Sequence, residues 1–198
     1  MAAVVRGGVQ CYTCRLMLKL SDNPPMLHPS CSRICEARGP WWVAHTRARF
    51  EKAFAWDLLR REVIYFLPLI ERVRISSGKK RRVLMPIFPS YVFFCGDEEA
   101  RLAALQTNRL CQVIEVTDQG QMVDELTAIE RALEGKAELD PYPFAAEGCH
   151  CRVTAGPFEG LEGIVAQRTG TARLVLQVSI LGQGASMEID ADLLEAVD

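Results

Sequence analysis

Hydrophobic and polar positions change their period several times between residues 41 and 134. The run from Trp41 to Thr46 is apolar and rich in β-prone residues and predicts a strand, whereas residues 50–62 repeat every 3.6 residues and predict a helix. The same reading predicts further strands over residues 63–67, 69–75, 82–85, 88–95 and 111–116, and further helices over residues 98–106 and 126–133. The resulting order, β-α-β-β-β-α-β-α, predicts an α+β fold with helices on one face of an antiparallel sheet.

The last fifty residues have a different pattern, made of short alternating runs with glycines between them. Several short strands in so few residues predict a small SH3-like β-barrel. Pro141 and Pro143 mark a linker ahead of the barrel, and four prolines without periodicity mark a loop-rich leader at the start. The predicted organisation is a leader (1–40), an N-terminal domain (41–134), a linker (135–148) and a barrel (149–198).

The composition, 49% hydrophobic and 24% charged over 198 residues, is that of a globular protein. It excludes a disordered tail, a collagen-like repeat and a coiled-coil rod. No apolar run approaches the ~18 residues of a transmembrane helix, and no signal peptide is recognisable at the start. We therefore expect a reducing, cytoplasmic location and no membrane partner.

Charge is distributed unevenly although the net charge is only −2. Residues 1–46 carry +3, residues 47–95 carry +7 and residues 96–198 carry −12. A basic middle and an acidic C-terminal half predict two surfaces that meet different partners.

The eight cysteines fall into two groups. The first group has the spacing C-x2-C and C-x3-C and could close a tetrahedral zinc site: Cys11, Cys14, Cys31 and Cys35. The alternative is that the leader has no metal, since Met17 or Met26 could be the true start; we expect a protein without metal or other cofactor. His28 is interpreted as a loop histidine. The second group is interpreted as small buried hydrophobes: Cys95, Cys111, Cys149 and Cys151.

Sequence features of an enzyme are not recognisable. His28, His45 and His150 have no Ser or Cys partner at a recognisable spacing, and no phosphate-binding or dinucleotide-binding glycine motif occurs. We predict no catalytic residues and no enzymatic activity.

Two ordered motifs, however, are similar to a known family. Residues 42–47 (WVAHTR), 51–52 (EK), 65–68 (YFLP) and 86–93 (PIFPSYVF) resemble the N-terminal domain of NusG-type transcription factors. Residues 153–165 (VTAGPFEGLEGIV) resemble the KOW motif that follows it in that family. The resemblance covers residues 41–198, and the compact Leu-Pro-Leu motif is most similar to specialised paralogues such as RfaH and the antiterminators of polysaccharide operons.

The resemblance implies that an apolar depression on the N-terminal domain grips the clamp helices of RNA polymerase. The matching candidates are Trp42, Tyr65, Phe88, Pro89, Tyr91 and Phe93. Alternate members of a strand must face the core, so about half of these are expected to be packing residues. Tyr91 and Phe93 share a sheet face by the period of two and are the preferred pair.

The resemblance also implies contact with upstream DNA or with the exposed non-template strand. The matching cations near the first helix are Arg47, Arg49, Arg60, Arg61 and Arg109. For each of them a solvated helix face is the alternative. A denser cluster is predicted at the tip of a hairpin and could reach duplex phosphate or an acidic polymerase surface: Lys79, Lys80, Arg81 and Arg82.

In the barrel, the resemblance implies binding of a small-subunit ribosomal protein or of termination factor Rho. The candidates are Phe158, Ile180 and Leu181, although Leu181 and Gln183 stand where general factors have Phe and Arg. The predicted function is a monomeric elongation, antitermination or termination-modulating factor. The alternative is an RNA-binding KOW protein of the ribosome or its assembly, which the acidic C-terminal half disfavours.

Overall fold

A computed structural model of the protein describes residues 22–76, 79–143, 148–168 and 171–197. The N-terminal part contains β1 (Trp41–Thr46), α1 (Glu51–Arg60), β2 (Ile64–Phe66), β3 (Leu69–Ser76), β4 (Lys79–Pro86), β5 (Tyr91–Cys95), α2 (Glu98–Leu105), β6 (Leu110–Glu115) and α3 (Gln119–Glu134). The C-terminal part contains β7 (Asp140–Tyr142), β8 (Cys149–Val153), β9 (Glu162–Arg168), β10 (Thr171–Val178), β11 (Gln183–Ile189) and β12 (Leu194–Ala196). The fold is therefore α+β followed by a small SH3-like barrel, as predicted. No helix within these ranges is long and apolar enough to span a membrane.

Helices cover both faces of the N-terminal sheet, whose strand order is β2-β5-β1-β6 with all pairs antiparallel. Ala44 and Phe94 point to the face covered by α1, whereas Val43 and Phe93 point to the face covered by α3. The prediction of helices on one face only is wrong. Helix α3, which at 16 residues is twice as long as predicted, packs on the face opposite α1. Asp118 caps α3 by accepting a hydrogen bond from the Gln121 amide at 2.9 Å, and Met122, Leu126 and Ile129 line its buried face at helical spacing.

The leader packs against the sheet from residue 22 onward. Leu27 forms a β-bridge with Phe66, the Leu67 amide donates to the Met26 carbonyl at 2.7 Å, and Ile34 is fully buried in the core. His28 does lie in a loop, as predicted, but it is only 6% exposed and packs edge-to-face on the Tyr65 ring. Residues 22–40 thus extend the edge of the sheet at β2 and belong to the packed domain, although only the turn Ile34–Glu36 is regular.

Strands β3 and β4 form a separate two-stranded ribbon, paired in register from Leu69 opposite Pro86 to Ser76 opposite Lys79. Leu69 and Ile70 are buried at its base, and the Lys52 ammonium of α1 donates to the Leu84 carbonyl at 2.6 Å. Burial lowers the pKa of Lys52. Because β4 begins at Lys79 instead of Arg82, the basic residues predicted for the tip lie along a strand.

The barrel strands are ordered β12-β8-β9-β10-β11-β7. The predicted linker contributes β7, which pairs with β11, so the linker is partly strand. Gly156 has the positive φ (+89°) of a turn glycine, whereas Gly163 lies inside β9 and serves close packing: a Cβ there would sit 2.7 Å from the Val175 carbonyl oxygen.

Of the four cysteines in the second group, two are buried as predicted and two are exposed. Cys95 and Cys151 are buried, whereas Cys111 and Cys149 are exposed on their strands. Burial raises the pKa of Cys95 to about 11, and its thiol donates to the Gly39 carbonyl. The strands were predicted correctly, but an alternating strand places cysteines on either face.

Candidate interaction surfaces

The structure separates the six aromatic and proline candidates for polymerase binding. Tyr65, Phe88 and Phe93 are at most 1% exposed and belong to the core. The Tyr65 hydroxyl donates to the Pro25 carbonyl of the leader at 3.0 Å, and burial raises its pKa. Trp42, like Tyr65, lies on the face covered by α1; it is half-buried, with its indole nitrogen donating to the Gly96 carbonyl. Tyr91 and Phe93 do share a face, as predicted, but only Tyr91 reaches the surface.

His45 and Tyr91 form a stacked pair at the end of the sheet where Tyr91 reaches the surface. The two residues are directly opposite each other on β1 and β5, and their rings stack with centroids 5.0 Å apart. Both are half-buried, and Pro89 is exposed nearby in sequence. Sequence reasoning missed His45 because it considered histidines only as catalytic groups; the antiparallel alignment of β1 with β5 would have paired it with Tyr91.

The five arginines predicted around the first helix, which we call the helix-end cluster, lie before α1 (Arg47, Arg49), at its C-terminal end (Arg60, Arg61) and between α2 and β6 (Arg109). Asp57 of α1 accepts hydrogen bonds from both Arg60 and Arg109, which forms two ion pairs. The Arg61 guanidinium donates to the Gln106 side chain at 3.3 Å. Three of the five cations are thus held by groups of the protein itself.

An aromatic ring adjoins this cluster. Phe50 is 38% exposed, and the Arg109 guanidinium lies 5.5 Å from its ring centroid. Arg47 and Arg49 are exposed, Arg49 with a left-handed backbone (φ 68°), and neither has an ion-pair partner within the described residues. An exposed ring between arginines can stack on an unpaired base.

The ribbon carries the second cationic surface. The four predicted cations are all exposed: Lys79, Lys80, Arg81 and Arg82. Arg74 of β3 lies directly opposite Arg81 of β4. Like charges in directly opposed positions destabilise a strand pair. In the described residues, Arg82 alone among the four forms an ion pair, with Glu71 at 3.3 Å. The ribbon is therefore a concentrated and largely uncompensated positive charge.

The barrel candidates lie against α3. The Glu125 carboxylate accepts hydrogen bonds from the amide and the hydroxyl of Ser179, at 3.1 and 2.6 Å. Ile180 and Leu181 follow directly and are half-buried, and Phe158 packs so tightly that a Cβ on Gly135 would meet its ring at 2.6 Å.

At the other end of this contact, the Arg131 guanidinium of α3 donates to the Glu159 carbonyl at 2.7 Å. Arg131 and Glu125 together hold the barrel, so helix α3 supports the sheet on one side and the barrel on the other.

The proposed zinc cysteines lie partly outside the described residues, since Cys11 and Cys14 precede residue 22. Cys31 is buried with its thiol donating to the Arg33 carbonyl, and Cys35 is exposed. The described residues contain no group of three or more potential metal ligands. With two of its four cysteines outside the described residues, the zinc site stays one of the two alternatives for the leader.

One buried carboxylate, Glu130 of α3, joins the leader to the helix. Both of its oxygens accept from the Ile34 amide, at 3.2 and 3.3 Å. Burial raises the pKa of Glu130, which is only 7% exposed. Unlike Asp57, it has no bonded cation within the described residues.

Residues 39–133 match the family model described as "Transcription termination factor nusG". This range contains the four-stranded sheet, the ribbon, α1, α2 and all of α3 except its last residue.

Among solved structures, the chain is similar to "Domain interaction in Thermotoga maritima NusG", at 18% identity with a TM-score of 0.41, over 81% of this chain and 98% of that chain. It is also similar to "Crystal Structure of MjSpt4:Spt5 complex conformation B", at 14% identity with a TM-score of 0.24, over 80% of this chain and 97% of that chain. No curated protein matches the chain significantly. Residues 39–133 therefore form a NusG-type domain.

Proposed function

We propose that this protein binds RNA polymerase through its N-terminal domain, contacts DNA through its cationic surfaces and couples to a second protein through its barrel. The observation that carries the proposal is the NusG-type domain, in which the candidate polymerase face and two cationic surfaces occupy one module. Clamp-helix binding, a cytoplasmic location and a monomeric state belong to the proposal. So does similarity to RfaH-type antiterminators.

The polymerase contact is assigned to the accessible part of the apolar face. His45, Tyr91 and Pro89 supply it, while Phe88 and Phe93 support the strand from within the core. An aromatic pair with one side packed and the other exposed is typical of an interface anchor.

DNA contact is divided between the two cationic surfaces. The ribbon has no aromatic residue between Leu69 and Pro86, so it suits duplex phosphates. The helix-end cluster has Phe50 beside Arg109 and suits an unpaired non-template strand.

Partner binding by the barrel competes with α3 in this proposal. A ribosomal protein or Rho that uses Ile180 and Leu181 must displace the Glu125–Ser179 hydrogen bonds. The alternative function, RNA binding within the ribosome, would use the same barrel, and co-sedimentation with ribosomes tests it.

The test is binding of the full chain to core RNA polymerase, measured by co-elution and titration. We expect His45→Ala with Tyr91→Ala to weaken binding about tenfold. The matched control is Leu102→Ala, which truncates an exposed side chain (47%) on α2, on the other side of the sheet. Equal binding by wild type and the double variant would remove this face from the interface.

A further inference from the structure

The two faces of the β3–β4 ribbon have different chemistry. Because directly opposed residues of an antiparallel pair point to the same side, the register assigns each side chain to a face. One face, here the cationic face, carries Arg74, Arg81 and Lys79 towards the tip. Nearer the base the same face carries Val83, Met85 and Arg72, and Arg72 is ion-paired with Asp140. The other, the mixed face, carries Glu71, Val73 and Ile75 on β3 opposite Leu84, Arg82 and Lys80 on β4.

The mixed face exposes two large apolar side chains to solvent. Ile75 is 71% exposed and Val73 60% exposed, the two highest values for large hydrophobic side chains in the described part of the chain. They are two residues apart and form a continuous stripe along one strand. Single exposed hydrophobes need no explanation, but an ordered stripe on a projecting ribbon indicates a contact surface.

Cations border this stripe at regular intervals. Arg82 lies directly opposite Val73, and Lys80 lies directly opposite Ile75. Arg82 is neutralised only by Glu71, at 3.3 Å and with both side chains well exposed. Such an exposed pair contributes little to stability, so a carboxylate from another molecule can replace Glu71 at little cost.

This combination does not suit nucleic acid. Phosphates offer nothing to Val73 and Ile75, and neither residue can stack on a base. A protein surface that presents apolar side chains between carboxylates complements both the stripe and its cations.

We propose that the mixed face docks on an acidic, partly apolar protein surface of RNA polymerase while the cationic face holds DNA phosphates. The inference rests on the proposed function, because it assumes that the polymerase is the protein partner. The ribbon would then be clasped between protein and nucleic acid, with each partner on its own face.

The experiment compares one double variant for each face in the full chain. Val73→Thr with Ile75→Thr keeps β-branched side chains and removes the apolar stripe. Its matched control is Arg74→Gln with Arg81→Gln, which neutralises the opposed arginines of the cationic face. All four side chains are exposed, so we expect the unfolding temperatures of both variants to stay near that of wild type.

Binding to core RNA polymerase alone and to a short DNA duplex alone are the two measurements. We expect the threonine variant to lose about tenfold in polymerase affinity and to keep wild-type DNA affinity. The glutamine variant should show the reverse, with a salt slope reduced by about one per lost phosphate contact.

Wild-type polymerase binding by the threonine variant, or an equal loss of DNA binding, would overturn the assignment of the faces. So would a concentration-dependent dimer of wild type that the threonine variant abolishes, since the stripe would then bind a second copy. If Ile75→Thr alone unfolds the protein, the stripe is structural and the inference is wrong. Failure of wild type itself to bind polymerase would instead refute the proposed function.

Discussion

The helix-end cluster and the ribbon are both rich in arginine, yet their most concentrated charges are compensated to different extents. Asp57 binds Arg60 and Arg109, and Gln106 holds Arg61, so the helix-end cluster is organised before any ligand arrives. The ribbon pairs Arg72 with Asp140 and Arg82 with Glu71, but towards its tip it places Arg74 opposite Arg81 and leaves both exposed. Compensated arginines contribute to the fold, whereas uncompensated ones retain their full interaction energy for a partner. Counting cations in a sequence does not distinguish the two cases.

The largest expected effect is on DNA binding when the ribbon is neutralised. Replacing Lys79, Lys80, Arg81 and Arg82 by Gln should flatten the dependence of log affinity on log salt by about 0.9 per lost phosphate contact. The control is Arg60→Gln with Arg61→Gln, for which we expect a smaller change because both side chains already have protein partners. Titration of a labelled duplex across a salt series measures both, and equal slopes for the two variants would contradict the comparison.

Removing the charge of Asp57 should leave arginines of the helix-end cluster uncompensated, as they are towards the tip of the ribbon. Asp57→Asn removes the negative charge that Arg60 and Arg109 share, so we expect tighter DNA binding with a steeper salt slope. Because hydrogen bonds between charged groups are lost at a side chain only 15% exposed, the free energy of unfolding should fall by about 1.5–3 kcal/mol. Denaturant titration gives the second value, and unchanged DNA binding would show that this cluster does not face DNA.

A smaller effect is expected at a carboxylate that has no bonded cation. Because burial raises the folded-state pKa of Glu130, its favourable contribution is present at low pH and is lost as the pH rises through that pKa. Glu130→Gln should therefore increase the free energy of unfolding at pH 7, and the gain should vanish towards pH 4, near the ordinary glutamate pKa of about 4.3. Chemical denaturation at several pH values measures this. A gain that is independent of pH would point to packing instead of ionisation.

The smallest effect is expected at Arg131, whose partners are neutral. Arg131→Gln removes its hydrogen bonds to the carbonyls of Glu159 and Gly160, at a cost of about 0.5–1.5 kcal/mol. Amide hydrogen exchange in residues 156–160 should become faster while DNA affinity stays unchanged. Unaltered exchange would mean that the contact with α3 does not stabilise this turn.

The sequence predicted most of the fold, and the errors have identifiable causes. The strands β1, β2, β5 and β6 and the helices α1 and α2 were predicted to within a few residues because their apolar periods are clear. The first half of α3 was missed because its first turn, Gln119-Gly120-Gln121, is typical of a loop, although Met122 and Leu126 follow at helical spacing. Packing between distant segments explains why α3 covers a face that was expected to be open.

The candidate sites were predictable by residue type but not by exposure. Periodicity correctly placed Tyr91 and Phe93 on one face, but could not show that Phe93 is covered. Likewise, no local pattern indicates that Asp57 reaches Arg109, which is 52 residues away along the chain. Burial and ion pairing depend on contacts between distant segments, and these emerge only in the folded structure.

The attachment of the leader to α3 also affects the order in which segments are buried during synthesis. Ile34 hydrogen-bonds to Glu130, which lies 96 residues further along the chain. At a synthesis rate of about 5–20 residues per second, the leader leaves the ribosome roughly 5–20 s before the helix that receives it. During that interval Ile34 lacks the helix that covers it, so a segment made early is among the last to be fully buried.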